Sequence, residues 1–235
     1  VSIDTIFLPM LAGGGQAIYV LHDTELERRM EKRGRPRRFD REVALRRAME
    51  VFWEKGFEDA SMTDLTQAMG IASPSLYAAF GSKEELFQEA VALYQARFGG
   101  RMWDALDREP VIVAALEAFL METARAYSRR GVPRGCLIVL GARHASAAGD
   151  PVCDELKRRR AENLTRLRAR FARAIAEGEL PQGFDCDAAA AFYATLQHGM
   201  SLMARDGADA ATLQAIAAGG LRAFTGPGFA DPRSG

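Results

Sequence analysis

What this 235-residue chain lacks narrows its class before any motif is read. No window reaches eighteen uninterrupted apolar residues, so nothing in it is expected to span a membrane. Cysteine is scarce: Cys136, Cys153 and Cys186 are odd in number and form no CxxC pair. The apolar start, VSIDTIFLPMLAGGG, lacks the charged region that opens a secretory signal, so the cysteines read as reduced thiols of a cytoplasmic protein. Charge of one sign is not in excess, with 31 Lys and Arg against 31 Asp and Glu, so only its distribution can point to a nucleic acid. There is no GxSxG, no HExxH, no phosphate-binding glycine loop and no carboxylate pair with a defined partner, which argues against an enzyme. His144 and His198 stand far apart without an i+4 partner, so a metal has no support and no cofactor is expected.

Apolar residues make up 48% of the chain, enough for a substantial core in one large domain or two small ones. Period-two alternation hardly occurs, and from Asp40 onward the sequence reads as helices. Asp40 caps a helix whose Leu45, Ala48, Met49 and Phe52 recur at helical spacing until Gly56. Ser61 or Thr63 opens a second, closed by Gly70. Ser73-Pro74, a capping hydroxyl before the residue suited to the first helical position, opens a third that stops at Gly81. Ser82, three residues before Glu85, restarts the chain at once with a capping box, and this helix runs toward Phe98, where Gly99-Gly100 interrupts it. Longer helices follow over about 110–129, 150–178, 185–205 and 208–224. The apolar segment at about 135–147 fits a buried helix or a buried strand, and its helical surroundings favour helix. The fold class is all-α.

Three helices near 40–55, 61–69 and 73–79 make a compact unit, the last two joined by a tight turn at Gly70. That is helix-turn-helix geometry, with the second short helix held out to enter a DNA major groove. Such a helix can be short because its first turn does the reading, and its stability then comes from caps and neighbours. Charge distribution agrees. Over residues 32–47, Lys32, Arg33, Arg35, Arg37, Arg38, Arg41, Arg46 and Arg47 face only Asp40 and Glu42, a local charge of +6. The GRPRR run at 34–38 reads as a flexible arm for phosphate or minor-groove contact.

The stretch SMTDLTQAMGIASPSLYAAFGSKEELF, preceded by an R-x-x-A-L…F…KGF helix, resembles the DNA-binding domain of TetR/AcrR-type transcriptional regulators over about 38–87. Arg47, Thr66 and Pro74 depart from residues common there, and the rest of the chain matches only in outline. The DNA-contact set expected is Arg35, Arg37 and Arg38 in the arm, with Thr63, Tyr77 and Lys83 on phosphates. Tyr77 is expected to use its hydroxyl while its ring packs under the helix. Pro74 and Ser75 point at bases, with Ser73 beside them as a cap, and Leu76 and Phe80 belong to the core.

The resemblance also implies a ligand pocket and a dimer interface in the C-terminal helices. Candidate pocket residues are Phe98, Trp103, Phe119, Cys136, His144, Phe171, Tyr193 and Gln197. For the dimer, Ala188, Ala189, Ala190, Ala191, Ala194 and Gly199 permit close helix approach. Phe192, Leu196, Met200 and Met203, with Leu213, Ile216 and Leu221 of the last helix, supply apolar surface across a two-fold axis. The expected organisation is an extension and start of the basic arm, poorly ordered, over 1–32, whose other reading is a short extra helix. A helix-turn-helix domain over 33–87, an effector-binding and dimerisation domain over 88–225 and a disordered tail over 226–235 follow. The function implied is a homodimeric repressor, released from a palindromic double-stranded DNA operator by a small-molecule effector. Two alternatives stay open: a redox- or electrophile-sensing regulator acting through Cys136, and a helical adaptor that does not bind DNA.

Overall fold

Asp40 starts the first helix as its sequence position requires, its carboxylate accepting from the amides of Glu42 at 2.9 Å and Val43 at 3.1 Å. The computed structural model describes residues 39–142 and 150–226. The extension, Arg35, Arg37, Arg38, His144 and all but the first residue of the expected tail lie outside the described residues. Helix α1 (Arg41–Asp59) buries Ala48, Met49, Phe52 and Trp53, and its regular backbone breaks at Gly56, where φ is 79°. Helix α2 (Met62–Met69) opens on a capping box between Ser61 and Asp64 and closes on Gly70 in the left-handed region. Helix α3 (Ser73–Phe80) and helix α4 (Lys83–Tyr94) meet at Gly81, and the Ser82–Glu85 capping box is formed.

Two expectations fail in this part of the chain. Ser73 is not a cap: Ala72 holds that position, with no side-chain hydrogen bond, and Ser73 is already helical. The Gly70 turn, whose amide and that of Ile71 bond back to Gln67 and Thr66, delivers the chain into the helix one residue early. Nor do Gly99 and Gly100 interrupt the long helix. The chain passes from α4 through a π-helical turn (Gln95–Gly99) straight into α5 (Gly100–Arg108). A glycine costs a helix about 1 kcal/mol, which packing of α5 along α6 (Ile112–Tyr127) outweighs.

Helix α6 begins at Ile112, after Pro110, and its cap residue Val111 has no closing side chain. Closure comes from a distance, since Glu179 accepts from the Ile112 amide at 2.6 Å. Buried Arg170 does the same for the end of α5, donating to the carbonyls of Leu106, Glu109 and Pro110 at 3.1 to 3.2 Å. The apolar segment beginning at Gly135 contains one helical turn, α7 (Leu137–Leu140), which is shorter than expected; residues 143–149 lie outside the described residues. Asp150, Asp185 and Asp209 cap α8 (Pro151–Ala176), α9 (Cys186–Arg205) and α10 (Ala210–Thr225). Helix α6 lies between α5 and α10, α9 packs on α8, and α1 packs on α4. All elements of the described residues are helical, and none is long and apolar enough to cross a membrane.

Candidate nucleic-acid interface and interior cavity

Helix α3 has two faces of different character. Leu76 and Phe80 are buried against the unit, whereas Ser73, Pro74 and Tyr77 are exposed and Ser75 is half-buried. Tyr77 is 50% exposed, so its ring does not pack under the helix as expected but stands out beside Pro74. A ring at that position in an eight-residue helix can reach the core only by displacing Leu76 or Phe80. Thr63 in the first turn of α2 is exposed as well. Lys83 is half-buried, its ammonium 4.4 Å from the centre of the Phe57 ring, and burial pushes its pKa down.

Of the basic residues counted over 32–47, the described ones are Arg41, Arg46 and Arg47, and two of these have internal partners. Arg41 donates to the Ala79 carbonyl at the end of α3, pairs with Glu89 at 2.6 Å and lies over the Phe80 ring. Arg47 donates to the Ala68 carbonyl at the end of α2. Both helix ends of the candidate reading unit are therefore fixed by side chains from α1. The unit's second helix is held further at its start, where Lys55 and Ser61 bond Asp64 and lower its pKa from 3.8 to about 2.

Behind this unit lie two adjoining cavities of about 360 and 160 Å³, which share Tyr94, Met102 and Tyr127. Phe98 lines the larger one, beside Trp53, Arg97 and Arg129. Trp103, Cys136 and Gln197 line the smaller, where the π-helical turn brings Gly99 and Gly100 to its wall. Burial, and then the Cys136 sulfur beside each, pushes the hydroxyls of Tyr94 and Tyr127 well above the usual tyrosine range.

Three expected pocket residues belong to the core instead. Phe119 is fully buried behind Trp103, their rings 5.0 Å apart. Phe171 and Tyr193 form a separate aromatic cluster with Phe224, and the Tyr193 hydroxyl donates to the Gly220 carbonyl at 3.0 Å. Both face α10 and line neither cavity, since side chains at helical spacing on α8 and α9 are shared between two neighbours. Tyr94 and Tyr127, which do line the cavities, were not among the expected pocket residues.

The expected dimer surface divides similarly. On α9, Phe192 and Met203 are exposed, as is Leu202, which the sequence reading missed. Phe192 and Met203, with Leu196 and Ile216, border an apolar groove, and Leu221 is half-buried. Met200 and Leu213 are buried within the protomer and are core.

Comparison with known proteins bears on the whole chain. The model of bacterial regulatory proteins, tetR family, matches residues 44–90, and that of the tetracyclin repressor-like C-terminal domain matches 113–219. The HTH-type transcriptional repressor ComR of Escherichia coli (strain K12) is 34% identical over 193 residues, covering 82% of this chain and 92% of ComR. The chain belongs to the TetR family. Within it, the HTH-type transcriptional repressor BdcR, also of Escherichia coli (strain K12), is 40% identical over 108 residues, 46% of this chain and 55% of BdcR. Among solved structures of the family, a cysteine mutant of the regulator CifR complexed with 26bp double-strand operator DNA superposes with a TM-score of 0.77. It is 44% identical and covers 81% of this chain and 100% of that one.

Proposed function

We propose that this protein is a homodimeric transcriptional repressor that binds a palindromic operator and leaves it when a small molecule occupies the interior cavity. The observation that carries this reading is α3: its apolar residues are buried, its polar first turn is exposed, and both neighbouring helix ends are locked by arginines of α1. Base contacts come from Pro74 and Ser75 with Ser73 beside them; phosphate contacts come from Thr63, Tyr77, Lys83 and the arm residues Arg35, Arg37 and Arg38. Phe192, Leu196, Met203, Ile216 and Leu221 form the two-fold contact. The protein acts by binding rather than catalysis, in the bacterial cytoplasm. Resemblance to ComR over nearly its full length, and to CifR captured on its operator, supports the same reading.

The test is selection of bound duplexes from a random pool with the full chain. A palindromic consensus, bound with an affinity that falls steeply with salt, is the expected result. Recovery of no preferred sequence, with no more than salt-independent background binding, would leave a helical adaptor as the better account.

A further inference from the structure

We propose that the larger cavity takes a small organic carboxylate with an aromatic body, and that the carboxylate releases the operator by competing with Glu42 for Arg97. The proposal rests on the repressor reading and names the class of effector for it. The cavity holds about 360 Å³, roughly the room of twelve waters, which suits a small organic molecule. Its floor is aromatic: Trp53, Tyr94 and Tyr127 are buried, and the rings of Trp53, Tyr94 and Phe98 stand 4.8 to 5.7 Å apart. Its rim is cationic. Arg97, Arg101, Arg125 and Arg129 are exposed there, and Glu122 is the one carboxylate among the lining residues. Arg125 pairs with Glu122 at 2.5 Å, and Arg97 with Glu42 at 2.8 Å. Arg101 and Arg129 have no carboxylate partner among the described residues, and Arg129 lies over the Phe98 ring.

Positive charge in excess at the mouth, above an aromatic floor, selects between classes of occupant. An inorganic anion makes no use of the rings, and a neutral apolar molecule gains nothing from the guanidiniums. A carboxylate on an aromatic body uses both, with its head among the arginines and its ring on Trp53, Tyr94 and Phe98.

The same rim is joined to the reading unit through charge. Arg97 belongs to the π-helical turn, whereas its partner Glu42 lies in the first turn of α1, 55 residues earlier. Helix α1 also supplies Trp53 to the cavity floor, and it carries Arg41 and Arg47, which hold the ends of α3 and α2. A ligand carboxylate beside Arg101 and Arg129 is a second acceptor for Arg97. Arg97 drawn to it frees the first turn of α1 and leaves the Glu42 charge uncompensated in a unit that meets phosphates. An exposed ion pair shifts an equilibrium by no more than about fivefold, so the lever is modest at each reading head and acts on two of them in a dimer. A neutral occupant leaves the Arg97–Glu42 pair intact.

The full chain is titrated in a calorimeter with 4-phenylbutyrate, with its neutral counterpart 4-phenyl-1-butanol, and with acetate at equal ionic strength. Phenylbutyrate is expected to bind about tenfold or more tightly than either, with an affinity that falls as salt rises. The double variant Arg101→Gln, Arg129→Gln replaces two exposed side chains and is expected to lose about tenfold or more in affinity for phenylbutyrate but none for the alcohol. In fluorescence anisotropy with the selected operator, phenylbutyrate is expected to weaken binding about fivefold or more, and the alcohol to leave it unchanged. Glu42→Gln, which removes the rival carboxylate, is expected to bind phenylbutyrate more tightly and to lose most of the operator response. Equal affinity for the acid and the alcohol, or for the acid and acetate, overturns the proposal. So does a double variant that binds the acid as the parent does, bound phenylbutyrate without change in operator affinity, or a full response in Glu42→Gln. Failure to select any operator refutes the repressor reading instead, and calorimetry still decides whether the cavity takes the carboxylate.

Discussion

Lys83 and Ser75 lie a few residues apart but offer DNA different things. An ammonium meets phosphate, which is the same at every base pair, whereas a short hydroxyl on the first turn of α3 meets a base edge. Lys83→Met keeps an unbranched stem over the Phe57 ring and removes the charge. It should weaken binding equally on all duplexes and reduce the log–log salt slope by about 0.9 for each lost phosphate contact in B-DNA. Ser75→Ala should instead change which operators are preferred. A change of sequence preference in Lys83→Met, at an unaltered salt slope, would remove the phosphate assignment. Acid stability tests another single residue. The folded pKa of Asp64 is about 2 against an ordinary 3.8, so the folded state favours its carboxylate. Its contribution is complete above the ordinary value and is lost as pH falls through about 2. The unfolding midpoint of the parent should therefore fall more steeply over that interval than that of Asp64→Asn. Parallel curves for the two proteins would mean that the Lys55–Asp64–Ser61 bonds add nothing in solution.

Between α3 and α4 the chain depends on one glycine. Gly81 has φ +76°, and a β-carbon there would sit 1.8 Å from the Glu85 carboxylate that closes the Ser82 capping box. Gly81→Ala must strain the backbone and also expel Glu85, so a loss of about 1–3 kcal/mol is expected in denaturant unfolding. A loss below a few tenths would show that the turn relaxes freely. That turn was legible in the sequence because its cap, box and glycine all lie within five residues. Asp40, Ser61, Asp150 and Asp185 were legible for the same reason. The ends at Ala72 and Val111 were not. α6 is closed from Glu179, 67 residues away, and no local pattern records such a partner, whereas α3 starts at Ala72 because the Gly70 turn brings the chain into the helix one residue before Ser73-Pro74 suggests. The π-helical turn escaped because two glycines read more naturally as a break than as one widened turn of a continuing helix. It matters to the site because Gln95, Gly99 and Gly100 stand on the same cavity wall as Met102, Trp103 and Cys136.

At the scale of the whole molecule, the sequence made the reading unit plain and the cavity obscure. The residues proposed to read bases sit on one short helix in a local pattern, whereas Tyr94, Met102, Tyr127, Cys136 and Gln197 come from five separate segments. Any of their apolar or aromatic neighbours, such as Phe171 and Tyr193, had the same claim until the helices were placed. The dimer surface stands between these cases, because a stripe on α9 is periodic but serves two neighbours. Burial separates them: Met200 and Leu213 complete the protomer, while Phe192, Leu202 and Met203 remain at 39%, 52% and 44% exposure. Three large apolar side chains left in water on one helix are what supports the proposed contact surface there. If the contact is two-fold, two α3 helices address two half-sites, and each head alone has only the affinity of a half-site. Replacing both Leu202 and Met203 with Glu should then convert the protein to monomers in analytical ultracentrifugation without lowering its thermal stability, because neither side chain is part of the protomer core. Operator affinity should fall by about two orders of magnitude or more, while affinity for an isolated half-site stays that of the parent. A double variant that remains dimeric would move the interface elsewhere. A monomeric variant that binds the full palindrome as tightly as the parent would show that the two heads do not act as one.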